Sequence, residues 1–189
     1  MVIGMKTGAE NTLKKMEEYS RSNSGVHSIP REEGEFFYII VCLFKPRKIL
    51  ELGTSIGYST TWLGLAAKEY GGKIKTVEIN PDKVAIARKN FDEAGLSKTI
   101  TVIEGDINKE LEKMRGKFDF VFLDSEKKEY LKHFRMLFPH LRKGGLVAAD
   151  NAGTHELQMR DYLWHVRNSK GLASVFVPIG NGVELTVKK

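Results

Sequence analysis

The sequence predicts an α/β fold in which helices cover both faces of a doubly wound, mostly parallel sheet of seven strands. Short apolar runs alternate with amphipathic stretches along most of the 189 residues, a pattern typical of successive βαβ units. The run Phe120-Val121-Phe122-Leu123 has no polar face, as expected of a parallel strand buried on both sides. Near the C-terminus, Gly180-Asn181-Gly182 separates two short strand-like runs and predicts a tight turn in an antiparallel hairpin.

The individual elements follow from the spacing of the apolar residues. Two helices are expected first, over residues 8–22 and 31–44, and the second begins just after Pro30, with Glu32 and Glu33 favourably placed near its N-terminus. Strands are then expected over residues 48–52, 74–78, 100–104, 118–123, 146–149, 173–177 and 183–187. Helices are expected near residues 57–70, 81–94, 108–114, 127–138 and 155–168. Glycines at 71–72, 95, 116 and 144–145 are expected where a helix ends and a strand begins. The result is a Rossmann-like architecture.

Length and composition limit the class of protein. The chain is long enough for one compact domain and too short for two of ordinary size. No stretch reaches the roughly 18 apolar residues that span a bilayer, and the N-terminus lacks the apolar core of a signal peptide. We therefore expect a cytoplasmic protein with no membrane partner. Cys42 is the only cysteine, so the chain has no internal disulfide framework. Trp62 and Trp164 occur in helical patterns and are expected in the core.

A turn that contains two glycines follows the first predicted strand. Glu51-Leu52-Gly53 leads to Gly57-Tyr58-Ser59, so a carboxylate and two glycines lie where a buried strand gives way to a helix. Glycines let the backbone approach a ligand, and the free N–H groups at the helix start can bind it. The glycines are four residues apart, which differs from the G-x-G-x-x-G spacing of a dinucleotide site. The turn predicts a nucleotide-like cofactor other than NAD.

Acidic residues lie at the carboxyl ends of all five predicted parallel strands. Ligands bind beyond these ends in doubly wound sheets, near the point where the strand order reverses. Carboxylates on one rim repel one another unless cations or hydrogen-bond donors compensate. The alternative is that the strands simply lead into polar loops. This alternative explains acidic residues at two or three strand ends more readily than at all five. The end positions are Glu51 with Gly53, Glu78, Gly105-Asp106, Asp124, and Asp150-Asn151.

These acidic positions indicate two different ligands. Glu78 follows Gly57 by about 20 residues, the offset at which an acidic side chain accepts hydrogen bonds from ribose hydroxyls. Asp124, Asp150 and Asn151 offer only oxygen ligands of the kind that suits Mg²⁺, Mn²⁺ or Ca²⁺. Helix capping is the alternative for these three residues, because Asp and Asn commonly begin helices.

Together, the motifs resemble those of the class I S-adenosylmethionine-dependent methyltransferases, and more narrowly the cation-dependent O-methyltransferases of the catechol and caffeoyl-CoA type. The resemblance covers roughly residues 30–189. The motifs that carry it are Ile49-Leu50-Glu51-Leu52-Gly53 with Gly57-Tyr58-Ser59, Val77-Glu78-Ile79-Asn80-Pro81-Asp82, Gly105-Asp106, Phe122-Leu123-Asp124-Ser125-Glu126-Lys127 with Tyr130, Gly144-Gly145-Leu146 with Ala149-Asp150-Asn151, and Pro178-Ile179-Gly180-Asn181-Gly182.

The resemblance implies a role for each position. S-Adenosylmethionine would be bound through its methionine part by Glu51, Gly53 and Ser59, through its ribose by Glu78, and through its adenine by Asp106 and Ile107, with Asp124 as a further contact. The metal, with Mg²⁺ favoured over Mn²⁺ and Ca²⁺, would be held by Asp124, Asp150 and Asn151. Lys127 would be the base that receives the proton of the acceptor hydroxyl.

The implied activity is methyl transfer to a hydroxyl of a small vicinal-diol aromatic. Residues 1–189 would form one methyltransferase domain of a homodimer, with the N-terminal helices, residues 1–45, covering the site. Two departures from the family pattern leave the acceptor open. Ala152-Gly153-Thr154-His155 leads almost directly into a helix where typical members carry an aromatic-rich insertion, and Ser125-Glu126 changes one wall of the pocket. One alternative is O-methylation of a hydroxylated nucleoside in tRNA, which the formal charge of +6 permits. The other is a non-catalytic protein that binds S-adenosylmethionine.

Overall fold

The computed structural model describes residues 7–189, with the side chain of Thr7 excepted. Residues 1–6 of the predicted N-terminal segment lie outside the described residues. The helices are α1 (Thr7–Ser22), α2 (Arg31–Phe44), α3 (Tyr58–Lys68), α4 (Pro81–Glu93), α5 (Ile107–Lys113), α6 (Tyr130–Leu137) and α7 (Glu156–Asn168). The strands are β1 (Lys48–Leu52), β2 (Lys73–Glu78), β3 (Ile100–Glu104), β4 (Phe118–Leu123), β5 (Leu141–Ala149), β6 (Leu172–Val177) and β7 (Val183–Lys188). None of the described helices combines the length and apolar character needed to cross a membrane.

All seven strands belong to one sheet with the order β3-β2-β1-β4-β5-β7-β6. The first five strands in this order are parallel, and β7 runs antiparallel to both β5 and β6. The order reverses between β1 and β4, whose register pairs Leu52 with Leu123. The carboxyl ends of these two strands therefore border the crevice where a doubly wound sheet binds ligands. The predicted fold class and its C-terminal hairpin are confirmed.

Apolar layers cover both faces of the sheet because its central strands alternate between them. On β4, Phe120 and Phe122 pack into the layer formed with α1 to α4, which also contains Trp62. Val121 and Leu123 of the same strand pack into the opposite layer, formed with α5, α6 and α7. This arrangement fixes β1 and β4 at the centre of the molecule.

Some local predictions were wrong. Gly144 and Gly145 lie inside β5, which begins at Leu141 instead of Leu146. Gly144 has a φ of 73°, and the pairing of β4 with β5 is irregular between Phe118 and Phe120, so the glycines mark an irregularity within a strand. The predicted helix over 127–138 begins with a 3₁₀ turn, Lys127–Glu129, and a second one, Phe138–His140, follows α6.

The prediction for Trp164 was also wrong. This side chain is 68% exposed, whereas Trp62 is fully buried as expected. Helix α7 buries the stripe formed by Met159, Tyr162, Leu163 and Val166. Trp164 falls outside this i, i+3, i+4, i+7 pattern and therefore lies on the solvent side.

Candidate functional site

A cavity of about 680 Å³ lies at the carboxyl ends of β1 to β4. Its walls come from the segments that follow these four strands and from the loop between α1 and α2. The lining residues predicted as cofactor contacts are Gly53, Ser59, Glu78, Asp106, Ile107 and Asp124, and the α1–α2 loop adds His27, Ser28 and Ile29. Six of the seven predicted cofactor contacts thus lie around one cavity.

The turn after β1 passes very close to the end of β4. Gly53 has a φ of 101°, and a Cβ atom there would collide with the backbone oxygen of Asp124. Gly57, with a φ of 90°, is the residue before α3 and leaves room for the ring of Phe91. Both positions require glycine, because a side chain would be strained in conformation and blocked in space. The turn therefore brings the backbone of β1 directly beside Asp124.

Glu78 presents its carboxylate to the cavity in a fixed orientation. Its Oε2 accepts the backbone N–H of Ser55 at 2.8 Å, and its Oε1 accepts that of Asn80 at 2.9 Å. Each carboxylate oxygen can accept a further hydrogen bond from a ligand. Beside it, Ile79 is 64% exposed and lines the same cavity as Ile107. A carboxylate that can accept hydrogen bonds from a ligand therefore lies beside apolar walls, as a ribose joined to a flat base requires.

Glu51 is the one predicted cofactor contact that does not line the cavity. Its carboxylate is fully buried behind the turn and accepts hydrogen bonds from the hydroxyls of Ser59 at 2.7 Å, Thr76 at 2.5 Å and Thr60. Burial raises the pKa of Glu51 to about 7, although the three hydroxyl donors favour its charged form. Glu51 reaches the cavity indirectly, through Ser59, which lines it.

Asp124, Asp150 and Asn151 lie at the adjacent carboxyl ends of β4 and β5. Asp150 is 1% exposed and Asn151 9% exposed. Burial and the nearby charge of Asp124 raise the pKa of Asp150. The residues that precede the following helical elements are Glu126 and His155, so none of the three oxygen-bearing residues caps a helix. Asp106, by contrast, does cap α5, by accepting the backbone N–H of Lys109.

Glu33 of α2 reaches the same cluster, although we identified it in the sequence only as a charge near a helix start. Its side chain is fully buried, and its Oε2 accepts the backbone N–H of Asn181 at 3.1 Å. Its Oε1 has no hydrogen-bond donor. Burial and the charges of Asp150 and Asp124 raise the pKa of Glu33. The sequence alone does not distinguish Glu33 from the exposed Glu32 beside it.

Lys127 is the cation of this acidic cluster. Its Nζ donates to Oδ1 of Asp124 at 2.7 Å and to the hydroxyl of Tyr130 at 3.3 Å. The side chain is 18% exposed, so it lies against the cluster and not on the outer surface beside Lys128. Within residues 7–189, no group of three or more His, Cys, Asp and Glu side chains encloses a metal position by itself. The predicted ligand set differs from such a group because it includes the amide oxygen of Asn151, and Asn is not one of those four residue types.

The cavity contains polar atoms that lack partners. Among the described residues, seven buried side-chain nitrogen or oxygen atoms have no hydrogen-bond partner, and four of them belong to residues of this cavity: Ser28 Oγ, Ser55 Oγ, Asn108 Oδ1 and His133 Nε2. Buried polar atoms are normally paired. Their concentration here fits a polar organic ligand such as a nucleoside. Asn108, His133 and the α1–α2 loop were not predicted, because their place in the cavity depends on tertiary packing.

The chain matches known methyltransferases in sequence and in fold. The family model described as O-methyltransferase matches residues 5–162. A catechol O-methyltransferase of Niastella koreensis is 37% identical over 128 residues, which are 66% of this chain and 58% of the relative. Catechol O-methyltransferase B of Danio rerio is 30% identical over 174 residues, which are 88% of this chain and 65% of the relative. The chain thus spans less than two thirds of the length of either relative.

A solved structure extends the likeness to the whole fold. The O-methyltransferase from Bacillus cereus, solved in complex with SAH, superimposes with a TM-score of 0.86 at 23% identity and covers 100% of this chain and 94% of that one. At this identity the superposition supports the fold alone. The family assignment rests on the sequence match, which extends over most of the chain. The chain belongs to the O-methyltransferase family.

Proposed function

We propose that this protein transfers a methyl group from S-adenosylmethionine to a hydroxyl oxygen of a small vicinal-diol aromatic. The observation that carries the proposal is the order of the strands along the rim. The strands β3, β2, β1 and β4 are consecutive neighbours, and the residues predicted for adenine, ribose, methionine and acceptor follow them in that same order. One extended molecule can therefore lie across the rim with its methyl group directed toward Asp124.

The cofactor contacts of this proposal follow from the geometry of the cavity. Asp106 and Ile107 would bind the adenine, Glu78 the ribose hydroxyls, and Gly53 and Ser59 the methionine part, with Glu51 supporting Ser59 from behind. The unpartnered polar atoms in the cavity support a polar ligand of this length. S-Adenosylmethionine, when bound, supplies a methyl group on a sulfonium sulfur, which departs with the bonding electron pair.

Asp124, Asp150 and Asn151 would hold a divalent cation, with Mg²⁺ favoured. The residues fit such an ion, because Asp124 and Asp150 lie close enough for the charge of Asp124 to raise the pKa of Asp150, and Oε1 of the nearby Glu33 lacks a hydrogen-bond donor. A divalent cation, when bound, would lower the pKa of a hydroxyl on the acceptor.

Lys127 would take up the proton of the acceptor hydroxyl at Nζ. The neutral amine is the form of a lysine that can accept a proton. Asp124 Oδ1, 2.7 Å away, then stabilises the ammonium that forms. The hydroxyl oxygen, freed of its proton, forms a bond to the methyl carbon as the carbon–sulfur bond breaks. Positioning of the two reactants supplies much of the rate enhancement in such a transfer.

A hydroxylated nucleoside in tRNA is a second candidate acceptor. One observation favours it. A groove of about 370 Å³ between α6 and α7 begins at Lys127 and is lined by Lys128, Lys132 and Arg135. A basic groove next to the candidate base suits a polyanionic acceptor.

The third candidate, a non-catalytic binding protein, does not require the buried pairing of Lys127 with Asp124. The predicted homodimer and cytoplasmic location stay predictions. Exposed Ile39 and Leu43 on α2 support a dimer surface there.

Transfer of a labelled methyl group onto a panel of small phenols and onto bulk tRNA, with Mg²⁺ and with EDTA, tests the proposal. We expect transfer to catechols that EDTA abolishes. Lys127→Gln should lower kcat by about 10²- to 10⁴-fold without changing the affinity for S-adenosylhomocysteine, and Lys128→Gln is the matched control on the next residue. Asp150→Ala should abolish the Mg²⁺-dependent methyl transfer. Undiminished catechol methylation in EDTA would refute the proposed role of the metal. Labelling confined to tRNA would support the hydroxylated nucleoside as the acceptor.

A further inference from the structure

A chain of polar contacts forms one wall of the cavity, at the end where Asp106 and Ile107 lie. Ser125 Oγ lies 2.9 Å from Nδ1 of His133. The other ring nitrogen of His133, Nε2, faces Oε2 of Glu129 at 3.6 Å. The same Oε2 accepts the Nδ2–H of Asn108 at 3.2 Å. All four residues line the cavity.

The contacts determine where the imidazole of His133 carries its proton. His133 is 2% exposed, and burial lowers the pKa of its ring, so the ring is neutral near pH 7 and has one N–H. The carboxylate of Glu129 can only accept, and a lone pair on Nε2 would be repelled by it. The proton therefore belongs on Nε2, directed toward Glu129. The remaining nitrogen, Nδ1, is then an acceptor, and the hydroxyl of Ser125 must donate to it.

This arrangement leaves the hydroxyl oxygen of Ser125 as a hydrogen-bond acceptor in the wall of the cavity. The only hydroxyl proton of Ser125 is engaged by His133, so its Oγ has only lone pairs for a ligand. Asn108 uses one of its two amide N–H groups on Glu129, and its Oδ1 has no partner in the protein. A base that presents an amino group can donate to this wall. A base with an oxo group at the same position would place its lone pairs against those of Ser125 Oγ.

We propose that His133 is a positioning residue that fixes Ser125 as a hydrogen-bond acceptor and so makes the cavity selective for a nucleoside with an exocyclic amino group. The inference rests on the proposed binding of S-adenosylmethionine and adds the group that enforces adenine over an oxo-purine. Neither Ser125 nor His133 has any other polar partner among the described side chains that could set the same orientation.

The test compares binding of S-adenosylhomocysteine and S-inosylhomocysteine by calorimetry. The two ligands differ at the base edge, where an oxo group replaces the amino group and the adjacent ring nitrogen, N1, carries a proton in the inosyl ligand. For the unaltered protein we expect the adenosyl ligand to bind about 10- to 100-fold more tightly, the range for a buried polar group left without its partner. His133→Phe frees the hydroxyl of Ser125 to rotate and donate. We expect this variant to bind the inosyl ligand about 10-fold more tightly than the unaltered protein does, a gain that simple loss of packing would not produce.

Three further variants separate positioning from structural damage. His133→Gln can accept from Ser125 and donate toward Glu129, so it should retain the preference for the adenosyl ligand. Ser125→Ala should reduce the preference for the adenosyl ligand to within about threefold. This variant tests the inference even if His133→Phe fails to fold. His140→Phe changes a histidine outside the cavity and should leave both affinities unchanged.

The outcomes keep this inference separate from the proposed cofactor. A preference unchanged in both His133→Phe and Ser125→Ala would overturn the inference while leaving cofactor binding intact. Failure of the unaltered protein to bind either ligand would overturn the proposed function, and the inference with it. Equal binding of both ligands by the unaltered protein would overturn the inference alone.

Discussion

Replacing Glu51 by glutamine should change how the stability of the protein depends on pH. Burial raises the pKa of Glu51 to about 7 from an ordinary value of 4.5. At about 1.4 kcal/mol for each pKa unit, this difference corresponds to about 3 kcal/mol. Between pH 4.5 and 7 the folded protein holds a proton on Glu51 that the unfolded chain has lost, so stability falls as the pH rises through this window. Glutamine does not titrate and removes this contribution.

The measurement is the free energy of unfolding in urea at several pH values between 4.5 and 8. We expect the stability of Glu51→Gln minus that of the unaltered protein to grow by about 3 kcal/mol between pH 4.5 and 7 and to be constant above that. Other titrating carboxyls are present in both proteins and cancel in the difference. Glu112→Gln, at an exposed position, is the control and should give a flat difference. A flat difference for Glu51→Gln would show that the hydroxyls of Ser59, Thr60 and Thr76 fully compensate for burial.

Three further substitutions test the packing around the site. Gly53→Ala places a Cβ atom against the backbone oxygen of Asp124 at a positive φ, and we expect a loss of about 1–3 kcal/mol in urea unfolding, together with weaker binding of S-adenosylhomocysteine. Arg167→Ala leaves the fully buried Glu184 without the guanidinium that binds both its oxygens, at 3.0 and 2.6 Å, and should cost about 3 kcal/mol, much of it recovered by adding Glu184→Gln. Arg31→Ala removes the ion pairs that join α2 to α1 and should speed amide exchange in α1 while leaving β1 and β4 protected. Unchanged exchange in α1 would show that apolar packing alone holds that helix.

The sequence predicted most of the fold because the strands carry a strong local signal. β1, β3 and β4 were predicted with their observed bounds, since each is a short, mainly apolar run between polar segments. Prediction failed where the signal depends on conformation or on tertiary contacts. The glycines of β5 marked an irregularity and not a boundary, and Trp164 lies on the solvent side of α7 despite its size. The role of Glu51 as a cofactor contact stays a prediction, and the fold places its side chain behind Ser59.

The two ends of the candidate site differ in how they are built. Most of the proposed cofactor contacts lie in the segments that directly follow β1, β2 and β3, so these residues could be predicted from the strand ends. The α1–α2 loop, Asn108 and His133 reach the cavity only through tertiary packing. The acceptor end joins distant parts of the chain: Glu33 of α2 accepts a hydrogen bond from Asn181 in the turn between β6 and β7, and only a glycine at position 180 leaves room for that carboxylate. Asn181 in turn lies 3.5 Å from Asp150. A change in the hairpin turn can therefore reach the oxygen cluster through Asn181, and we expect differences in acceptor choice to arise at the contact between α2 and this turn.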